Sequence, residues 1–291
     1  MRTNFIPTLI FLAAVGTVAP AASVYDTTVL ANNPVAFFPL NETSGTTANN
    51  ASHASGAQNG TYNAVTLGVP GSPDGAGASY NGSSSYVSVP NYTALEVTTD
   101  FSIEAWVKVS GPSANSLSTI FSINRATDGT GLAFALEGDT PELAINNNAV
   151  NFSTTATATV TPGTWDQLDV TYNGTAVDFY IDGNLAGTTP FSQNLALSTT
   201  LPLTLGVEFP NGYLGGRYFN GDIGDVSFYD TALTAPQVQA DFAASAPEPA
   251  SLLLLAVGFS ILAGCAYKRR LKLGQFRSTH GRSRGLHHAA V

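Results

Sequence analysis

This sequence predicts an all-β fold, a two-sheet antiparallel sandwich of the jelly-roll kind. Three observations predict it: apolar and polar residues alternate over short runs, turn dipeptides separate the runs, and only one stretch of the body has a helical period. Period-two alternation points one set of side chains at a core and the other at solvent, the pattern of half-buried antiparallel strands. Many short strands at regular spacing then indicate a sandwich or jelly roll.

Taken in order, the first strands fall at Tyr86–Val89 and at Phe101–Val109, where Phe101, Ile103, Ala105, Val107 and Val109 hold every second position. Leu132–Leu136 follows. Leu168, Val170 and Tyr172 then alternate with Asp169 and Thr171, as Val177, Phe179 and Ile181 do with Asp178 and Tyr180. Asn173-Gly174 joins these two runs and Asp182-Gly183 follows the second, both dipeptides that tolerate the positive φ of tight hairpins. Leu203–Val207 and Val226–Tyr229 complete the strands. Thr234 to Ala244 reads as one short closing helix, with capping-box spacing between Thr234 and Gln237 and an apolar i, i+4 pair in Val238 and Phe242.

Charge is unevenly distributed. Between Val24 and Pro249 three basic residues (Lys108, Arg125, Arg217) face all 20 acidic ones, whereas seven basic and no acidic residues follow Pro249. An acidic body repels phosphate backbones, which argues against nucleic acid as a partner, and is compatible with cations, neutral glycans and high solubility. Arg2, the apolar run Phe5–Val18 and the small residues Ala19-Pro20-Ala21 have the pattern of a secretory signal peptide over residues 1–22. The only cysteine, Cys265, lies in a C-terminal apolar run, so the exported body (24–245) has no disulfide. At roughly 225 residues it buries a sizeable core without one. Leu262-Ala263-Gly264-Cys265 resembles a bacterial lipobox, but a lipobox ends an N-terminal signal and this stretch is near the other terminus. The Asn-x-Ser/Thr sequons read as turn chemistry.

Five stretches, in order, resemble the laminin-G-like, concanavalin A-like jelly-roll domains of bacteria. They are Val29–Tyr62, Ser79–Pro90, Asp100–Val109, the tryptophan-initiated hairpin Thr164–Gly187, and Gly212–Phe242. The resemblance covers most of Val29 to Phe242. It implies a structural calcium joining the opening segment to the last strand, which carried over residue by residue falls on Glu42, Asp222 and Asp225. The chain departs from the family's Gly-x-Ile-Asp pattern at Gly224, where an acid is usual. Trp106 and Trp165, the only tryptophans, are expected to anchor the core rather than a sugar.

No pair of carboxylates at a glycosidase spacing is visible. Glu104 stands alone on its strand, and the second acid of Asp178–Asp182 belongs to a turn. The body's one histidine, His53, lies in a Gly/Ala/Ser/Asn loop and offers no dyad or metal site. No catalytic residue is assigned.

Ala250 to Tyr267 is almost wholly apolar. As a helix its 18 residues span about 27 Å, just short of a bilayer's ~30 Å hydrocarbon core. Lys268, Arg269, Arg270 and Lys272 would keep its far end cytoplasmic. Pro247, Glu248 and Pro249 before the apolar run, with Arg269 and Arg270 after it, resemble the PEP-CTERM sorting signal, here residues 246–272. That resemblance implies recognition by an exosortase-type enzyme in a Gram-negative bacterium, a membrane-inserted precursor, and a mature form at the cell surface or in the extracellular matrix. Residues 273–291 read as a basic cytoplasmic tail. The expectation is an exported, non-enzymatic binding or adhesion module associated with exopolysaccharide, its ligand held by loops at one rim. The alternatives are a surface glycan-active hydrolase or lyase on a jelly-roll fold, and a purely structural matrix protein.

Overall fold

The computed structural model describes residues 23–245 except 73–74, 92, 97–98, 112–116, 124–129, 148–150, 194, 196–201 and 209–215. The expected signal peptide (1–22) and the expected sorting motif Pro247, Glu248, Pro249, Arg269 and Arg270, with the apolar run 250–267, lie outside the described residues. Among those described, no helix is long and apolar enough to cross a membrane.

Two antiparallel sheets of eight strands each face one another among the described residues. The first runs β14 (Asn184–Pro190), β13 (Ala176–Ile181), β12 (Asp166–Tyr172), β7 (Phe101–Val109), β16 (Asn220–Tyr229), β5 (Ala76–Asn81) and β4 (Thr66–Pro70), with β1 (Ala36–Phe38) also paired to β16. The second runs β11 (Asn151–Thr155), β10 (Thr140–Asn147), β9 (Thr130–Glu137), β8 (Leu117–Ile123), β15 (Leu203–Leu205), β6 (Tyr86–Val89), β3 (Gly60–Asn63) and β2 (Thr47–Ala48). The alternating residues read from the sequence form the core between the sheets: Phe101, Ile103, Val107, Leu132, Phe134, Leu168, Val170, Val177 and Phe179 are all fully buried there. Phe228 stacks on Phe121 across that core at 5.2 Å between ring centres. The Asp182-Gly183 turn has φ of 51° and 71°, the two positive values that a two-residue type I′ hairpin requires.

The closing helix α2 (Ala235–Ala244) is where the sequence places it, and the Gln237 side-chain carbonyl accepts from both the Thr234 N–H (3.0 Å) and hydroxyl (2.8 Å). A second helix, α1 (Val24–Ala31), adds to the one expected. It is capped by Ser23, whose hydroxyl accepts from Asp26 N–H at 2.9 Å. The helices touch through Gln237, whose amide donates to Asn32 Oδ1 at 3.0 Å. Beneath them a second apolar cluster joins Tyr25, Val29, Phe37, Trp106, Tyr229, Leu233 and Val238. Helices therefore cover the first sheet's outward face. Replacing Gln237 by Ala removes hydrogen bonds to both helix ends, and unfolding in urea should show about 1–2 kcal/mol less stability with an unchanged m-value.

Trp106 is buried and lies nearly parallel to Phe242 with ring centres 6.0 Å apart, an anchor as expected, but of the helix-covered cluster rather than of the core between the sheets. Trp165 is half-buried against the backbone of Gly71 and Gly77.

Candidate functional site

The strand register of the second sheet assembles an unusual row. Thr47, Thr61, Ser88, Thr204, Ser122, Ala133, Ala144 and Ser153 are successive cross-strand partners, one from each of the eight strands. Their chain neighbours Val87, Val89, Leu203, Leu205, Phe121, Ile123, Leu132, Phe134, Leu143 and Ile145 fill the core. Because successive side chains in a strand point to opposite faces, the whole row faces outward. Every member is Ser, Thr or Ala. With strands ~4.8 Å apart the row is roughly 34 Å long, floored by methyl and hydroxyl groups. Its ends at Thr47, Thr61 and Ser153 are exposed, while Thr204, Ser122 and Ala133 at the centre are only 2–3% exposed. The row is thus open at its two ends and covered at its centre.

The next row on the same face contains Thr119, Ala135, Glu142 and Thr155. Glu142 is buried, accepts a short hydrogen bond from the Ser153 hydroxyl, and keeps its second oxygen, Oε2, buried without a hydrogen-bond partner. The Thr119 hydroxyl is likewise buried and unpartnered. Two strand spacings separate these residues, about 10 Å. Buried polar atoms cost free energy when unpaired, so a small opening of the surface that brings a hydroxyl-bearing ligand to either atom is stabilising. At the centre of the row the Thr204 hydroxyl donates to Val207 O at 2.6 Å, and Glu208 pairs with Arg217 at 2.6 Å.

A different polar group lies on the other sheet, beneath the helices. Glu104 of β7 is directly opposite Asp169 of β12, so the acid that stands alone on its strand has a cross-strand neighbour. Glu104 accepts from Tyr25 Oη in a short bond, from Gln167 Nε2 at 2.7 Å and from Tyr229 Oη at 3.3 Å. Asp241 of α2 accepts from Asn32 Nδ2 at 2.9 and 3.1 Å. Neither oxygen of Asp169 has a hydrogen-bond partner. Burial raises the pKa of all three carboxyls, most strongly at Asp169, where the charges of Glu104, Asp241 and Asp182 add to it. Asp241 is pushed up to about 8 by burial and Glu104, against a lowering from Asn32.

The three expected calcium ligands have different surroundings. Glu42 accepts from Asn49 N–H (2.8 Å), Asn49 Nδ2 (2.7 Å) and Tyr62 Oη (2.7 Å) at the opening turn. Asp222 is opposite Lys108 in the register and pairs with it at 3.7 Å. Asp225 occupies the β16 bulge at φ 53°, with its N–H on Pro39 O at 3.0 Å and its carboxylate close enough to raise the pKa of the Tyr25 phenol. The opening segment thus meets the last strand as the resemblance implies, but through backbone. Among the described residues no three His, Cys, Asp or Glu side chains come together as a metal-ligand group. The glycine at 224 has a steric reason, since a Cβ there would come within 3.0 Å of Ser72 Cβ. His53 is exposed, as expected.

Comparison with known proteins accords with this architecture. The family model described as the concanavalin A-like lectin/glucanases superfamily matches residues 81–239. No curated protein matches the chain. Among solved structures, domain 4 of an extracellular GH43 arabinanase from Geobacillus stearothermophilus, in complex with arabinotriose, is similar with a TM-score of 0.57 and 18% identity, over 72% of this chain and 98% of that one. The binding domain of Paraclostridial Mosquitocidal Protein 1 gives 0.58 and 15% over 73% and 52%, and the botulinum neurotoxin serotype G binding domain 0.56 and 14% over 72% and 51%. The chain spans about half the length of these two toxin domains. At such identities the likeness is one of fold.

Proposed function

The chain belongs to the concanavalin A-like lectin/glucanases superfamily, and from that footing we propose that it is a non-catalytic module that binds an extended glycan outside the cell. The observation that carries the reading is the eight-residue row of Ser, Thr and Ala across the second sheet. Small side chains let a polymer approach the sheet closely at the exposed ends of the row, and Glu142 and Thr119 beside it carry unpaired groups that sugar hydroxyls would satisfy once the surface opens. The arabinotriose held by the arabinanase domain, whose fold this chain shares over nearly that domain's whole length, supports a glycan as ligand. On this reading the ligand lies on a sheet face rather than on rim loops. Binding rather than hydrolysis is favoured because Glu208, the other buried carboxylate beside the row, is tied up with Arg217, which leaves Glu142 alone among the described residues there, and glycosidases work with two.

Export through residues 1–22, membrane insertion of the precursor, and surface or matrix delivery by an exosortase-type enzyme acting at Pro247–Pro249 are part of the same proposal. They are supported by the sequence patterns. Intact-mass measurement of surface molecules should show Tyr267–Arg270 absent, and their retention would overturn the sorting step.

The binding claim is tested with the full chain against soluble polysaccharides, with and without calcium. We expect affinity for at least one neutral polysaccharide. Glu142→Gln should weaken it about 10–100-fold, the usual effect of losing a charge-assisted hydrogen bond. Ala144→Trp should block the face beside Glu142 and abolish binding with little change in thermal stability. Release of shortened sugars would instead establish the hydrolase, and no affinity for any glycan would favour a structural matrix protein.

A further inference from the structure

We propose that α1 and α2 are held on the first sheet by carboxylic acids that keep their protons, so that base undocks the helices while the sandwich stays folded. The geometry points to it. Asp169 is 1% exposed with both oxygens unpartnered, and it is directly opposite Glu104, which is fully buried. Two ionised carboxylates at adjacent register positions on a dry sheet face would repel across only ~5 Å between Cβ atoms. Asp241, also fully buried, brings a third acid down from α2.

Groups from every packed element face this cluster, and among the described residues none that acts on it is a cation. Helix α1 contributes the Tyr25 phenol and α2 Asp241; β7 contributes Glu104, β12 Asp169, β13 Tyr180 and the turn after it Asp182; β16 contributes Tyr229 and Asp225. The described cations are engaged elsewhere, Lys108 with Asp222 and Arg217 with Glu208. Protons are therefore what neutralise the group. Two of the acids hold the helices directly: Glu104 takes the Tyr25 hydroxyl, and Asp241 takes the Asn32 amide while Gln237 of α2 donates to Asn32. Removing protons places like charges beneath α1 and α2, and the helices leave an apolar floor containing Trp106, Phe37 and Val238.

Hydrogen exchange of the full chain, corrected for the intrinsic pH dependence of amide exchange, tests this. Between about pH 6 and about pH 9, protection over α1 and α2 should fall at least tenfold, since each proton lost on opening shifts the equilibrium about tenfold per pH unit. Protection over β12 should fall less. Asp241→Asn and Asp169→Asn should each flatten the dependence. Equal protection of the helices at both ends of the range would overturn the proposal. Where a variant does not fold, the unaltered chain still decides the matter. Its infrared spectrum at neutral pH should contain a protonated carboxylic-acid carbonyl band, and absence of that band would sink the idea.

Discussion

Gly221→Ala should leave little folded protein, with a loss of about 3–5 kcal/mol where folding can still be measured. Gly221 pairs with Val109 at the start of β16, at φ 147°. A Cβ there would stand 2.2 Å from the Lys108 carbonyl oxygen and 3.0 Å from Ser110 N. Both are backbone atoms of the neighbouring strand, so no rotamer relieves the overlap. Either β16 separates from β7 or the chain takes an unpaired register. Denaturant titration checks this, and a midpoint within error of the unaltered chain would refute it. Gly206, where a Cβ would meet the Tyr80 ring at 2.3 Å, is a milder case because a side chain can shift.

Stability should be greatest in mild acid and should decline toward neutrality, the reverse of most acidic proteins. Asp241 has a folded pKa of about 8, and Glu104 and Asp169 are raised by burial too. A group raised on folding contributes its full stability below its unfolded value, about 4 for an aspartate. That contribution is lost as pH climbs to the folded value. Each proton retained in this window costs up to ~1.4 kcal/mol per pH unit. From about pH 4 to about pH 8 the melting temperature should fall on the order of ten degrees for a domain of this size. A melting temperature that rises over that range would show that these carboxyls ionise in place.

The sandwich was legible where one strand face is buried and the other wet, as along Phe101–Val109 and Leu168–Tyr172, and in the Asp182-Gly183 turn. It was not legible at β1, where Ala36, Phe37 and Phe38 are all buried because Phe38 enters the core between the sheets and Phe37 the cluster under the helices. Helix α1 escaped notice because its eight residues bury only Tyr25 and Val29, a single i, i+4 pair. The candidate site was hidden more deeply. Its row joins residues from Thr47 to Thr204, each unremarkable in a β protein, and register alone makes them neighbours. Glu104 and Asp169 illustrate the same limit, since 65 positions of sequence separate two carboxyls that the sheet sets side by side. The partners of Glu42 and Asp222 were not legible either, since turn geometry brings Asn49 and Tyr62 to Glu42 and strand register brings Lys108 to Asp222.

One rim of the sandwich bears on how such a protein behaves in a crowd. The outermost strands β11 and β14 belong to different sheets, yet they meet. The Thr154 and Thr189 hydroxyls bond at 2.7 Å, Thr157 N–H donates to Ala186 O at 2.7 Å, and Phe152 stacks on Phe191 with ring centres 4.0 Å apart. On the opposite side β4 ends in Pro70, which has no N–H to offer. Sheet borders of this kind give a neighbouring copy little to extend by strand addition. Molecules gathered at high density would therefore remain separate rather than fusing into a fibre.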